Sequence, residues 1–119
     1  MYYICFKTES AIKYGVDEAI MLEQIIGLIN FNLGNKEYFK EGKYWINKSI
    51  KEFQEIFPFW SIRQIERIIN SLEKQCVITS KKFNKNKYDQ TKWYALNIKN
   101  LKEEVKWNTI FRVLTNQQW

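Results

Sequence analysis

Apolar residues recur at helical spacing along much of the chain, and the clearest such stretch begins at Ser61. At about 100° per residue, its apolar side chains cluster within about one third of the circumference, and they are Ile62, Ile65, Ile68, Ile69 and Leu72. The spacing predicts an amphipathic helix over roughly 61–75. Its opposite side carries residue types that hydrogen-bond base edges and phosphates, namely Arg63, Gln64, Arg67, Asn70, Ser71 and Lys74.

Two helix starts lie a dozen residues apart in the middle of the chain. Ser49–Glu52 and Ser61–Gln64 both fit the capping box, in which a serine hydroxyl caps a backbone N–H three residues on and the Glu or Gln side chain bonds back. Pro58 cannot continue the first helix, so Phe57–Trp60 is predicted to form a turn. The helix from Ser49 is expected to bury Ile50, Phe53 and Ile56, and the next to bury Ile62 with the rest of its apolar stripe.

A longer helix is predicted from Val16, with Asp17 and Glu18 in its first turn, where acidic side chains complement the helix dipole. One face is apolar, and the opposite side is partly apolar too. Such a helix lies either at the centre of the core or in a dimer interface, and we favour the core. Before it, Thr8–Tyr14 forms either a short helix or an arm. The main apolar face consists of Ala19, Leu22, Ile25, Ile26 and Ile29.

Alternating patterns predict two hairpins. The first covers Glu37–Ile46 and turns at Glu41-Gly42, and the second pairs Cys76–Phe83 with Thr91–Ile98. The tip of this second hairpin, taken as Lys81–Lys92, carries five lysines and one aspartate. A lysine ammonium is a point charge without bidentate geometry, so this tip suits phosphate contacts better than reading of bases. The phosphate-contacting residues we expect are Lys81, Lys82, Lys85 and Lys87.

The order strand, helix, turn, helix, hairpin predicts a winged helix-turn-helix, a mainly α fold with a small β-hairpin wing in the α+β class. We expect this domain to cover residues 1–98. Residues 99–119 are expected to form a helical extension, in which Trp107, Ile110, Phe111 and Leu114 share one helical face. That face either covers the core, pairs two protomers or docks another protein.

Charge is distributed unevenly along the 119 residues. Residues 1–60 carry seven Lys against eight acidic residues, whereas residues 61–119 carry twelve Lys or Arg against five. This asymmetry favours a polyanionic partner for the C-terminal half. The sequence has no apolar run near the ~20 residues of a membrane span and no signal-peptide pattern. We therefore expect a cytoplasmic protein in a bacterial host, without membrane association.

Several kinds of chemistry lack the residues they need. The chain has no histidine and only four glycines, so the commonest general base is absent and a phosphate-cradling glycine loop is not found. The acidic residues do not form the spaced clusters of two-metal nucleases. We therefore expect a binding protein rather than an enzyme, without cofactor or metal. Cys5 and Cys76 are expected to be small buried hydrophobes.

Three motifs in order resemble one protein family. They are Lys43–Ile46, Phe57–Ser61 and Asp89–Asn97, and together they resemble the N-terminal winged-helix domain of phage and mobile-element replication initiators. These replisome organisers are related to the N-terminal domain of the primosomal protein DnaD. The resemblance covers roughly residues 14–100. It implies origin or duplex DNA binding, often as a dimer, with the helix from Ser61 in the major groove and the 81–92 hairpin as the wing.

Two functions follow as hypotheses. The first is a non-enzymatic duplex-DNA-binding protein of a phage or mobile element, acting in replication initiation or as a small regulator. The second is a phage-encoded protein-binding module that inhibits a host nucleic-acid enzyme, for example a defence nuclease. There the exposed aromatics Trp107, Phe111 and Trp119 would anchor the host protein, since aromatic residues dominate binding hot spots.

Overall fold

The computed structural model describes residues 4–84, 86, 88, 89 and 91–97. Four helices and two small antiparallel sheets alternate along these residues, which confirms the predicted α+β class. A short 3₁₀ turn, Lys36–Tyr38, precedes the first strand. In chain order the elements are α1 (Thr8–Tyr14), α2 (Val16–Phe31), β1 (Phe39–Lys40), β2 (Lys43–Tyr44), β3 (Ile46–Lys48), α3 (Ile50–Ile56), α4 (Ile62–Lys74), β4 (Ile78–Lys81) and β5 (Lys92–Leu96).

The first two helices are separated by a single glycine. Gly15 has φ 114° and ψ 153°, a backbone conformation that side chains with a Cβ rarely adopt. Helix α2 then starts with Asp17 and Glu18 in its first turn, as predicted. Its apolar side chains are buried among those of α3, α4 and the sheet, so its predicted place in the core is confirmed. The fully or nearly buried positions of α2 are Glu18, Ala19, Met21, Leu22, Ile25, Ile26 and Ile29.

Helices α3 and α4 both begin with the capping boxes that the sequence predicts. The hydroxyl of Ser49 accepts from the Glu52 N–H at 3.1 Å, and that of Ser61 accepts from the Gln64 N–H at 3.1 Å. Between the helices the Trp60 N–H donates to the Phe57 carbonyl at 3.1 Å, which closes the turn. Two local hydrogen-bond systems therefore fix where each helix begins.

The expected burial of Ile62 is wrong, because 47% of this side chain is exposed. Ile62 is the first residue of α4, and helical side chains point back toward the N-terminus. Its side chain therefore extends beyond the edge of the core. The later members of the stripe, Ile65, Ile68, Ile69 and Leu72, are buried as predicted.

The end of α4 is a Schellman motif with a cysteine at its left-handed position. Cys76 has φ 61°, its N–H donates to the Glu73 carbonyl at 3.0 Å, and the Val77 N–H donates to the Leu72 carbonyl at 3.0 Å. Val77 and Leu72 are both fully buried, as this motif favours. Cys76 is itself exposed, and so is Cys5 in the segment before α1. The prediction that both cysteines are buried is therefore wrong: one occupies a surface cap and the other precedes the packed helices.

The strands do not form two separate hairpins; they form a two-stranded sheet and a three-stranded sheet. Strands β1 and β2 form the predicted hairpin around Glu41-Gly42, in which Phe39 lies opposite Tyr44. Ile46, which we expected in the same hairpin, belongs to β3 and lies opposite Tyr94 of β5. The second sheet has the order β3-β5-β4, and both of its pairings are antiparallel. It joins the segment before α3 to the hairpin that follows α4.

The two faces of this three-stranded sheet pack differently. On one face Tyr94 and Leu96 join the aliphatic core beneath the helices, and burial with the nearby charge of Glu73 raises the pKa of Tyr94 to about 12. The other face holds an aromatic cluster under the β1–β2 hairpin, with ring centroids 4.9 to 5.9 Å apart. Its rings belong to Tyr38, Trp45, Phe83 and Trp93.

The predicted helical extension over 99–119, with its partner-anchoring residues Trp107, Phe111 and Trp119, lies outside the described residues. Within the described part of the chain, none of the helices is long and apolar enough to cross a membrane.

Candidate nucleic-acid interface

The polar face of α4 is presented to solvent because the opposite stripe is held in the core. Four isoleucine and leucine side chains of the helix are buried, which fixes its rotation about its axis. The structure thus brings the six predicted contact residues of this helix together on one surface. Arg63, Gln64, Arg67, Asn70 and Lys74 are exposed there, and Ser71 is half-buried.

Three of these six side chains already have partners within the protein: Gln64 and Arg67, and Ser71, whose hydroxyl accepts from Gln75. The Gln64 side-chain oxygen accepts from the Ser61 N–H at 2.8 Å, so it closes the capping box. The Arg67 guanidinium donates to the Asp17 carboxylate at 3.1 Å, with 58% of the Arg67 side chain and 39% of the Asp17 side chain exposed. Gln64 therefore has a structural role. The Arg67 charge is shared with the first turn of α2.

Gln75 ties the end of α4 to α1. Its side-chain NH₂ donates to the Tyr14 carbonyl and to the Ser71 hydroxyl, each at 3.1 Å. Sequence reasoning did not assign Gln75 a role, because its main partner lies 61 residues away. This contact and the Asp17–Arg67 pair hold α4 against the first two helices from its solvent side.

Two concavities flank the exposed face of α4. One, with a volume of about 710 Å³, runs along the helix itself and is lined by Arg63, Glu66, Arg67, Asn70, Ser71, Lys74 and Gln75. The other, of about 510 Å³, lies between α4, the start of α3 and the start of β5. Its lining residues are Lys48, Ser49, Ile50, Glu66, Ile69, Asn70, Thr91, Lys92 and Tyr94. Glu66 and Asn70 line both.

The second concavity adds two cations that sequence reasoning did not include among the contact residues. Lys48 ends β3 and Lys92 begins β5, and the two residues are paired across the strands. With Arg63, Arg67 and Lys74 they make five cationic side chains around this face, against three carboxylates: Glu66, the Asp17 that pairs with Arg67 and the Glu52 that pairs with Lys48. The surface is cationic overall and suits a polyanion.

The predicted phosphate-contacting lysines of the hairpin are only partly described. The Lys81 ammonium forms an ion pair with Glu41 of the β1–β2 hairpin at 2.5 Å, so its charge is not fully available to a partner. Lys82 is exposed just after β4. Lys85 and Lys87 lie outside the described residues.

The base of this hairpin is organised by Asn84, a residue to which sequence reasoning did not assign a role. Its side-chain oxygen accepts from the Trp93 indole N–H at 2.9 Å, and its NH₂ donates to the carbonyls of Thr91 and Asp89 at 2.6 and 3.1 Å. The Thr91 backbone N–H, together with its hydroxyl, holds the pKa of Asp89 below its ordinary value. Side-chain hydrogen bonds to the backbone thus shape the segment that follows β4.

The chemistry available on this surface is that of charge and hydrogen bonding. Guanidinium, ammonium, amide and hydroxyl groups converge on it, which are the groups that bind phosphates and base edges. Among the described residues, no three His, Cys, Asp or Glu side chains are grouped so as to hold a metal ion.

Comparisons with protein-family models, with characterised proteins and with solved structures return no match to this chain. Its function is therefore inferred from the arrangement of its own side chains.

Proposed function

We propose that this protein is a duplex-DNA-binding winged-helix protein without catalytic activity, in which α4 enters the major groove. The observation that carries the proposal is the free polar face of α4, which bears Arg63, Arg67, Asn70 and Lys74 while the opposite face is buried. A helix that is fixed in the fold on one side and cationic on the other has the form of a recognition helix.

The order of elements around α4 supports the same proposal. Helices α3 and α4 are joined by the short 57–61 segment, and α4 is followed by strands β4 and β5, with β3 pairing on the far side of β5. A helix-turn-helix followed by a hairpin and backed by one earlier strand is the arrangement of winged-helix domains. The hairpin after β4 would then be the wing, and its lysines would contact phosphates.

The side chains on α4 support direct reading of bases as well as backbone contact. Arginine bonds guanine through two hydrogen bonds, and asparagine does the same with adenine. Arg63 and Asn70 are exposed at two points along the helix and line the concavities beside it. By the resemblance stated above, the setting would be replication initiation or regulation in a phage or mobile element.

The direct test is binding of the full-length protein to labelled duplex DNA, followed by fluorescence anisotropy from about 50 to 300 mM salt. A protein that neutralises about five phosphates should lose affinity with a log–log slope of about −4 to −5. Absence of binding at the lowest salt, or a flat salt response, would refute the proposal.

Two variants test the role of α4 within that experiment. Arg63→Ala and Asn70→Ala should each cost about 1–3 kcal/mol on a selected target duplex and less on random duplex. Lys36→Ala is the matched control, because Lys36 is exposed but lines neither concavity. Equal losses for the control and the two α4 variants would contradict the assigned orientation.

A further inference from the structure

Two lysines face each other across the three-stranded sheet. Lys48 of β3 and Lys92 of β5 are register partners, and like charges placed directly opposite one another destabilise a sheet. Two residues further along the same strands, Ile46 and Tyr94 are buried in the core. Because side chains alternate between faces, Lys48 and Lys92 lie on that helix-facing side, where the core ends and the 510 Å³ concavity opens.

The charges of these lysines are weakly balanced. The Lys48 ammonium lies 3.7 Å from the Glu52 carboxylate, with 29% of the Lys48 side chain and 48% of the Glu52 side chain exposed, and a pair of this length and exposure has a small energy. Lys92 has no ion-pair partner among the described residues. A second pair of opposed lysines in the described strands, Lys40 and Lys43, differs, because the Lys40 ammonium lies 5.4 and 5.8 Å from the ring centroids of Trp93 and Phe83.

The concavity offers what an anion with an attached apolar group requires. The Asn70 amide lines it beside the two lysines, and Ile50 and Ile69 supply apolar surface. Thr91 lines it too, but its hydroxyl bonds to the Asp89 carboxylate. The Ser49 hydroxyl accepts the cap hydrogen bond and keeps its own proton for donation. A volume of about 510 Å³ exceeds that of a bare phosphate and falls within the range of small-ligand sites.

We propose that this concavity, here called the Lys48–Lys92 cavity, binds one phosphodiester of a DNA strand. The phosphate would lie between the two ammonium groups, and the adjoining sugar would pack on Ile50 and Ile69. The inference rests on the proposed function and deepens it. It assigns a contact with the DNA backbone to the side of α4 that faces the sheet. The DNA would then hold α4 at this side as well as through the residues that face the major groove.

Glu66 allows a second test, because its carboxylate lines the same cavity and opposes an anion there. Since Glu66 also lines the concavity along α4, this variant supports the cavity only together with the lysine variants described below. Replacement by glutamine removes the charge and keeps the shape of the side chain. If a phosphate enters the cavity, Glu66→Gln should therefore tighten duplex binding about threefold to tenfold at low salt. A gain of affinity cannot arise from partial unfolding.

The main experiment compares the double variant Lys48→Gln/Lys92→Gln with the control Lys36→Gln/Lys51→Gln, whose lysines are both exposed and line neither concavity. Both remove two charges. Only the first should weaken duplex binding by about tenfold to a hundredfold at about 100 mM salt, with the log–log salt slope shallower by one to two units. Equal effects of the two double variants would overturn the proposal.

Outcomes for the cavity and for DNA binding as a whole can be separated. If Arg63→Ala weakens duplex binding but the Lys48/Lys92 variant and Glu66→Gln leave it unchanged, the cavity proposal is wrong and the proposed function stands. If the wild-type protein binds no duplex at low salt, both are wrong.

Inorganic phosphate distinguishes the source of the anion. It should bind only weakly at tens of millimolar, as followed by NMR shifts of the Asn70 and Thr91 amides. Saturation by inorganic phosphate below about 1 mM, with no competition by duplex, would instead assign the cavity to a free anion and overturn the DNA contact.

Discussion

Helices α2 and α4 pack against each other but use their surfaces in opposite ways. At about 100° per residue, the buried positions of α2 spread over roughly 160° of its circumference, whereas those of α4 occupy only about 100°. Helix α2 is covered from several directions by α1, α4 and β3. Helix α4 keeps a wide polar face free.

The difference shows which of two neighbouring helices can bind a partner. A helix buried on a wide arc is committed to the core, and a change on its surface alters stability first. A helix with a narrow buried stripe can carry a second function on its free side without a cost in packing. Asp17 connects the two helices directly, since it belongs to α2 and forms an ion pair with Arg67 on the polar face of α4.

The largest effect is expected when the shared core is damaged from either helix. Ile25→Ala in α2 and Ile68→Ala in α4 each remove a fully buried side chain and should lower the free energy of unfolding by about 2–5 kcal/mol. Urea denaturation measures this. Ile12→Ala on α1 is the control, because that side chain is 81% exposed. A similar loss for the control would mean that the core is wrongly placed.

The core beneath α4, which includes Tyr94 of β5, should also give a pH dependence at high pH. The folded pKa of Tyr94 is about 12 against an ordinary 10.0, with burial as the main cause. A raised pKa contributes stability that is complete below pH 10 and is lost as the pH rises through about 12, to a total of about 3 kcal/mol at most.

Tyr94→Phe should therefore flatten the fall in unfolding free energy above pH 10, as measured by urea titrations at successive pH values. Tyr88→Phe is the control, because the Tyr88 side chain is 79% exposed. An unchanged pH profile for Tyr94→Phe would show that the phenol does not ionise with unfolding.

A smaller effect on stability is expected from a substitution at the C-terminal end of α4, which differs from that of α2. The C-cap residues of the two helices are alike, with φ −85° at Asn32 and −79° at Gln75, but only α4 is followed directly by a left-handed residue, Cys76. Glycine has no Cβ to clash in this conformation, so Cys76→Gly should stabilise the protein by about 0.5–1 kcal/mol. Calorimetry would measure the rise in Tm. A lower Tm than that of the wild type would argue against the Schellman cap.

The smallest effect on stability should come from breaking the Asp17–Arg67 ion pair between α2 and α4. The Asp17–Arg67 pair is exposed, so Asp17→Asn should change the unfolding free energy by less than about 1 kcal/mol. It should nevertheless tighten duplex binding a few-fold, because Arg67 is freed and one repelling carboxylate is removed. Anisotropy on Asp17→Asn and on Glu9→Gln, whose carboxylate is in α1 and lines neither concavity, would measure the difference.

Local patterns were enough to predict the elements that carry these effects. The two serine caps, the turn at Pro58 and the stripe of α4 each depend on residues within a few positions of one another, and sequence spacing reports such contacts directly. The β1–β2 hairpin was predicted for the same reason, from its Glu41-Gly42 turn.

The contacts that could not be predicted share one physical cause: their partners lie far away along the chain. Arg67 meets Asp17 across 50 residues and Lys81 meets Glu41 across 40, and no local pattern encodes either meeting. The pairing of Lys48 with Lys92 requires the register of β3 on β5. Cys76 was misread because composition suggests that cysteine is buried, whereas the helix end required a left-handed residue at the surface.

The outer strands of the three-stranded sheet also govern how copies of the protein can meet. Strand β3 has only three residues and ends in Lys48, and β4 has four and ends in Lys81. Short edge strands with lysine at their ends resist pairing with another chain, since a second copy would bring like charges together along the same edge. Two molecules are therefore not expected to join by continuing this three-stranded sheet from one copy into the next.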